Sequence, residues 1–353
     1  MSSTIQYYEQ TRHRIYYLDV LRWIATIAVI MLHVSGNFYV EYNNSIGWCS
    51  SVVYSSITRW CVPIFVMISG AVFLNENIAV SLKKLYGKHI LRILLALIVW
   101  QLLYSFALSP IADYIHARLA GISYNYAPHS LYPLIYHLWF LPMIIGLYVM
   151  VPVLRAIVQG KQVIYFLIFS FAVNVLQWLT TLHIPHMGII NTIFQDTYLT
   201  AFVGYSGYYV LGWYLSTIQL TPRIYKISRI VFWASTLLTI VAMAMLRGDG
   251  LFQYMAPNVM LMSGSFFICM RYRLSEQSKE CRWGKIVFNT QKELFGIYLV
   301  HAFYVALFCA LYPISTVNLL PIVVIPLASL VIFALSWGTI RVLRYIPFVK
   351  HIS

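Results

Sequence analysis

The sequence predicts an all-α polytopic membrane protein of about ten transmembrane helices, with both termini in the cytoplasm and residues 1–353 forming a single integral-membrane domain. Three observations carry that prediction. Of 353 residues, 61% are hydrophobic and only 10% charged, well below the roughly 25% charged residues of soluble domains. The apolar residues gather in runs long enough to cross a bilayer, which takes about 20 residues at roughly 1.5 Å each. The basic residues are segregated to alternate loops, the positive-inside pattern of short cytoplasmic loops.

The runs fall near 16–38, 51–74, 90–109, 136–157, 162–182, 199–218, 229–246, 253–271, 294–312 and 320–342. The first, within IYYLDVLRWIATIAVIMLHVSGNF, lacks a small-residue cleavage site and exceeds a signal-peptide core, so it reads as a mature helix. In the second, RWCVPIFVMISG, Pro63 and the Ser69-Gly70 pair loosen the helix or allow close packing. The third enters through KKLYGKHILR, and the fourth opens on His137 and Trp139. The ninth carries His301 two turns above Glu293. Between the third and fourth, residues 110–135 begin helix-like and continue through Tyr124, Tyr126 and Tyr132, which suits a lid, a sugar-stacking platform or a ligand-free interfacial segment. The 28 Tyr and ten Trp, many near span ends, fit interfacial aromatic belts. No internal repeat of the transporter kind is visible.

An even number of spans puts both ends on one side. With the N-terminus in the cytoplasm, all but four of the 24 Lys and Arg are cytoplasmic; Arg118 and Arg247 lie outside, and Arg22 and Arg59 lie within spans. The net charge of +14 thus reflects topology and attraction to anionic membrane lipids, and nucleic-acid binding is not needed to explain it. The five cysteines, Cys49, Cys61, Cys269, Cys281 and Cys309, show no CxxC spacing. The His183–His186 pair is interrupted by proline and has no third ligand in reach, so no metal site is expected.

Arg22 and His33 are eleven residues apart, about three turns, which puts them on nearly one face of the first helix with Asp19, Thr26 and Asn37 close to the same line. A polar stripe across the membrane's depth cannot face lipid; it lines an enclosed path or an internal network. A plain Asp19–Arg22 pair at the headgroups and a packed His33 would also satisfy these residues. Arg59, descending on the second span, reaches a depth like that of His33. There an imidazole that takes a proton and a guanidinium that stabilises developing negative charge would share one cavity, unless Arg59 snorkels to the outer headgroups. At the inner mouth of the third span Lys83, Lys84, Lys88, His89 and Arg92 form a cluster able to hold a polyphosphate, although any inner loop is basic. Trp139 and His301 are candidates for substrate contact; a belt anchor and a packed histidine are the structural accounts of the same residues.

These segments coincide in order. LDVLRWIATIAVIMLH resembles the first-helix signature of the bacterial integral-membrane acyltransferase 3 family, in which ten residues intervene between an Arg and a His, as they do between Arg22 and His33. RWCVPIFVMISGAVF, YHLWFLPMIIGLYVMVPVL and GIYLVHAF are similar to that family's second-helix, fourth-helix and late His-bearing segments, and the resemblance covers most of the chain. It is nearest to the short members without a soluble domain that O-acetylate surface glycans. Where the family commonly has R-x-x-R on the inner loop, this chain reads His89-Ile90-Leu91-Arg92, with Lys88 beside it.

The resemblance implies an O-acyltransferase of the bacterial cytoplasmic (inner) membrane, with acetyl-CoA as co-substrate, no metal, and a polysaccharide or lipid-linked sugar as acceptor. It assigns phosphate binding to Arg22, Lys88, His89 and Arg92, orientation of Arg22 to Asp19, proton abstraction or transient acyl carriage to His33, and oxyanion stabilisation to Arg59. The rival reading is a transporter or flippase for a small anion or lipid-linked sugar along the same stripe; slow hydrolysis of acetyl-CoA by purified protein discriminates the two.

Overall fold

Helices occupy all ten predicted positions in the computed structural model, which describes residues 15–39, 45–75, 81–182, 190, 192, 199–246, 249–274, 282–311 and 320–352. The predicted His183–His186 pair, Arg247 and Cys281 lie outside the described residues. In chain order the helices are α1 (Tyr16–Gly36), α2 (Ile46–Thr58), α3 (Cys61–Phe73), α4 (Leu82–Leu119), α5 (Phe140–Val149), α6 (Val151–Gln159), α7 (Val163–Thr180), α8 (Leu199–Thr217), α9 (Pro222–Leu246), α10 (Pro257–Leu274), α11 (Arg282–Thr290), α12 (Leu294–Leu311), α13 (Pro321–Leu343) and α14 (Pro347–Ile352). Seven segments among the described residues are long and apolar enough to cross a membrane, or eight if the bent pair α5–α6 is one span. The expected ten therefore stands at seven or eight by that measure. Helices α8 and α10 coincide with predicted spans, but their Gly, Ser, Tyr and, in α10, Arg residues leave them less apolar.

Two predicted spans are broken, both by proline. Pro63 has no N–H for the carbonyl of Arg59, four residues earlier, and the helix of the second span is interrupted at Arg59 and Trp60 between α2 and α3. The two pieces still form one 28-residue span, with Arg59 near its middle. Pro152, in the first turn of α6, likewise leaves Tyr148 without its helical donor, and α5 and α6 bend by 54°. By contrast α4 runs unbroken for 38 residues, with π-helical stretches at Leu85–Ile90 and Tyr104–Leu108. At about 57 Å it exceeds the roughly 30 Å hydrocarbon core and projects beyond it at one end or both.

Helix α1 sits in the middle, against α2, α3, α10, α12 and α13. One flank, with Leu21, Ala25 and Ala28, belongs to a core shared with α3, α8 and α10, while Ile30 and Val34 join Ile297, Val305 and Ile325 of α12 and α13. Serines fasten α1 to α2: the Ser35 and Ser55 hydroxyls are 2.9 Å apart, and Ser51 donates to the Ser35 carbonyl at 2.6 Å. The outward faces of α4, α9 and α13 expose leucine, isoleucine and valine, as lipid-facing surfaces do.

The predicted close packing at Gly70 is real. A Cβ on Gly70 would overlap the carbonyl of Tyr209 in α8, and one on Gly212 would overlap the backbone of Met67 in α3, so the two backbones touch through paired glycines. Gly70→Ala and Gly212→Ala should each destabilise the detergent-solubilised protein by about 3 kcal/mol or more, the upper range of overpacking. Gly146→Ala, in open space on α5, should cost nothing. Chemical unfolding measures all three; unchanged stability of Gly70→Ala would contradict the backbone contact.

Candidate functional site

Because α1 is packed on two flanks, its third face is the polar stripe, and that face borders two cavities. The first, about 460 Å³, is lined by Arg22, Val29, Leu32 and His33 of α1. The second, about 420 Å³, is lined by His33 and Asn37. Among the described residues His33 is the one side chain common to both.

The first cavity has a basic end. Arg22 donates to Asp19 Oδ1 at 3.3 Å and to Gln291 Oε1 at 3.2 Å, and Gln291 Nε2 donates to the Asp19 carbonyl at 2.9 Å. This bracing fixes the guanidinium at the cavity wall. His89 and Arg92 line the same end from α4, with His89 edge-on to Phe73 and Arg92 5.2 Å above the Phe295 ring. The C-terminal part of the chain adds Lys292, Arg344 and Lys350. Arg344 is held by the Lys292 carbonyl at 2.6 Å and by Glu293 at 3.9 Å. Above the cations the walls are apolar, with Val29, Ile68, Phe140 and Ile144, and the far end is closed by His33, His137, Trp139 and Tyr254.

At that closed end histidines and tyrosines interlock. His33 stacks on His301 with ring centres 5.3 Å apart and meets Tyr136 edge-on at 5.0 Å. His301, fully buried, meets His137 at 5.3 Å. His301 Nδ1 is 2.6 Å from the Tyr298 carbonyl, and His137 Nε2 is 3.3 Å from the Leu299 carbonyl. A carbonyl only accepts, so both contacted nitrogens carry protons. In a neutral ring the other nitrogen is then an acceptor. His301 Nε2 and His137 Nδ1 are those nitrogens, and neither has a partner among the described residues.

The predicted site residues are therefore partly assembled. Arg22, His33, His89, Arg92 and Trp139 share the first cavity, and His301 adjoins it through His33. Asp19 braces Arg22 and lies about 21 Å along α1 from His33, too far to touch the same atoms. Lys88 is exposed, and it is not among the residues lining the cavity. Arg59 does not snorkel. Its guanidinium lies 4.4 Å over Phe252 and 5.5 Å over Tyr254, and Arg59 is not among the residues lining either cavity. Tyr254 in turn stacks on Trp139 at 6.0 Å, so Trp139 is a cavity wall and not a belt anchor. Sequence reading missed the neutral Gln291, and also Arg344 and Lys350, whose charges the positive-inside pattern already explained; Lys292 ends the basic inner loop 271–292, which the sequence marks as able to touch an anionic ligand or as a plain positive-inside loop. It also missed Tyr148 and Tyr298, indistinguishable from other aromatic residues in apolar helices.

The second cavity has another character. Asp113 and His116 of α4, Tyr136, and Ala306 and Cys309 of α12 complete its wall. The predicted tyrosine platform is absent from it: Tyr126 donates to the Phe106 carbonyl at 3.0 Å and Tyr124 packs edge-on against Tyr114. Among the described residues no group of three or more His, Cys, Asp or Glu is placed to hold a metal ion.

Compared with known proteins, residues 15–341 match the family model described as an acyltransferase domain, that of the acyltransferase 3 family. No curated protein and no solved structure matches the chain.

The two cavities lead to opposite ends of α1, which generates a labelling prediction. In a cysteine-free background, Asn37→Cys should react with an impermeant thiol reagent from the outer face, and Tyr86→Cys, on the exposed start of α4, only from the cytoplasmic face. Ser35→Cys, two residues from Asn37 but fully buried, should stay unreactive until the protein unfolds. Reaction of positions 37 and 86 from the same face would contradict the arrangement.

Proposed function

The chain belongs to the acyltransferase 3 family, and from that membership we propose that it is a membrane O-acyltransferase. In this reading it moves an acyl group, acetyl in the first instance, from cytoplasmic acetyl-CoA to a hydroxyl of a surface polysaccharide or lipid-linked glycan, in the manner of the enterobacterial common antigen O-acetyltransferase. It resides in the bacterial inner membrane. The observation that carries the reading is that His33 lines two cavities of opposite chemistry. The transporter reading gains no support from the family match.

The first cavity suits a molecule with a polyanionic head and a slender arm. Arg22, His89, Arg92, Lys292, Arg344 and Lys350 would hold phosphates, with Lys88 at the rim. The apolar shaft along Val29 and Ile144 would take the pantetheine arm. From Arg22 to His33 is about 16 Å along the helix, so the thioester would arrive beside the imidazole. His33 would take the proton of the acceptor hydroxyl as its oxygen bonds to the thioester carbonyl carbon. The charge that develops on the carbonyl oxygen would be stabilised by Arg59 from behind Tyr254, the cavity wall over which its guanidinium lies. Breaking the carbon–sulfur bond releases CoA thiolate, which recovers the proton from His33, leaving an ester and free CoA. His301, stacked on His33, would set the plane of its ring, and Trp139 would close the cavity behind the thioester.

Two expectations follow. His33→Ala should lower acyl transfer by about 10²-fold or more with membrane insertion intact, because losing an imidazole makes a span easier to insert. Transfer at the wild-type rate would refute the role. Arg22→Lys and Arg344→Ala should each weaken CoA binding by about ten-fold, the worth of a charge-assisted hydrogen bond. Lysine keeps the charge of Arg22 but cannot fork between Asp19, Gln291 and a phosphate. Calorimetry with CoA on purified protein measures both, and unchanged affinity in both variants would remove the phosphate site.

A further inference from the structure

We infer that the second cavity binds the acyl acceptor as an uncharged, polyhydroxyl sugar face, and that Asp113 is the side chain that fixes it. This rests on the acyltransferase reading for the role of His33 but stands on separate residues. The first argument is charge. Where the first cavity gathers lysine and arginine, no lysine or arginine is among the residues lining the second, and a carboxylate is. A phosphate or carboxylate ligand would face that carboxylate unpaired, a penalty of like charge; sugar hydroxyls donate to it.

The second argument is how Asp113 is held. His129 Nε2 meets Asp113 Oδ2 at 2.7 Å, and the backbone N–H of His129 donates to the Ser105 carbonyl at 2.8 Å. The segment after α4 is thus folded back on the helix so that one carboxylate oxygen is committed. The other, Oδ1, accepts no hydrogen bond among the described residues. Aspartate with one oxygen braced is a directional acceptor for a hydroxyl donor. Asn37, whose amide Nδ2 donates to the His33 carbonyl at 2.8 Å, adds a side-chain carbonyl that also accepts from hydroxyls.

The third argument is shape. Ala112, Ala306 and Ala310 leave the floor shallow, and Tyr136 offers an aromatic face that already meets His33. A hydroxyl held over these residues projects toward the imidazole at the cavity's inner end. Polar acceptors around a small apolar floor are the composition of a sugar site.

Cys309, partly exposed in the same cavity, reports occupancy without altering the chain. The test follows its modification by N-ethylmaleimide, read by mass analysis of its peptide, with methyl N-acetylglucosaminide as the neutral probe and glucose 6-phosphate as the anionic one. The neutral sugar should slow modification several-fold in a saturable way, and glucose 6-phosphate should not. Asp113→Asn should raise the sugar concentration needed by about ten-fold, and His116→Gln should raise it less. Failure of the neutral sugar to protect, or equal protection by glucose 6-phosphate, overturns the inference. CoA affinity is measured on the same preparations: sugar protection without CoA binding refutes the acyltransferase reading and leaves the sugar site, while CoA binding without protection refutes the sugar site alone.

Discussion

An arginine and a histidine on one 21-residue apolar helix must be kept out of hydrocarbon, and most of the architecture answers that demand. A charged side chain at mid-membrane costs about 2.5–3.5 kcal/mol even on the lenient insertion scale. The chain meets this by sinking α1 among its neighbours: two of its faces are packed against other helices, and the third looks into protein-lined space. The same solution creates the cavities, because helices that packed directly onto Arg22 and His33 would have to desolvate them. Shielding the stripe from lipid and opening a path along it are one event.

The two cavities differ in what they attract. One gathers cations from three distant stretches of chain, around residues 22, 89–92 and 292–350, and braces them with Asp19, Gln291 and Glu293. The other holds a carboxylate and small residues. In a medium of low dielectric this difference sorts ligands more sharply than it would in water. A polyanion would be drawn to the first and repelled from the second, so the proposed donor would have one place to rest. Two acceptor nitrogens without a partner among the described residues, on His137 and His301, lie just behind His33. They keep the junction polar without placing a fixed charge there.

Much of this was written plainly in the sequence. Helix positions followed from apolar run length, and the Arg22–His33 face followed from helical period alone. The proline breaks were half legible: Pro63 signalled a loosened helix and Arg59 was expected within the span, but not its place over Phe252 and Tyr254. What stayed hidden had a common cause. Arg344 and Lys350 are basic residues where basic residues are expected for topology, so a role at the cavity leaves no excess to detect. Asp113 and His129 form their pair through a fold-back across sixteen residues, which no local pattern announces. Trp139 looked like an interfacial anchor because span ends are where tryptophan gathers, and only its stacking on Tyr254 reveals a wall.

Three helices, α1, α4 and α12, thread both cavities, and on the proposed reading that fixes which part of the reaction would have to move. Helix α1 carries Arg22 at one end and His33 and Asn37 at the other; α4 carries His89 and Arg92 near one end and Asp113 and His116 near the other. Arg92 and Asp113 are about 31 Å apart along α4, and that helix, though bulged by its π-helical turns, is unbroken. Rods of this kind hold the cation cluster and the carboxylate at a set spacing, so neither site can approach the other by bending the protein between them. In the proposed reaction the acyl carbon would therefore be carried to His33 by the donor's own arm, and the acceptor hydroxyl would be presented there by the second cavity. The spacing of Arg22 and His33, about 16 Å, would then act as a ruler for the proposed donor. A shorter arm anchored by the same phosphates would leave its acyl group in the apolar shaft, short of the imidazole.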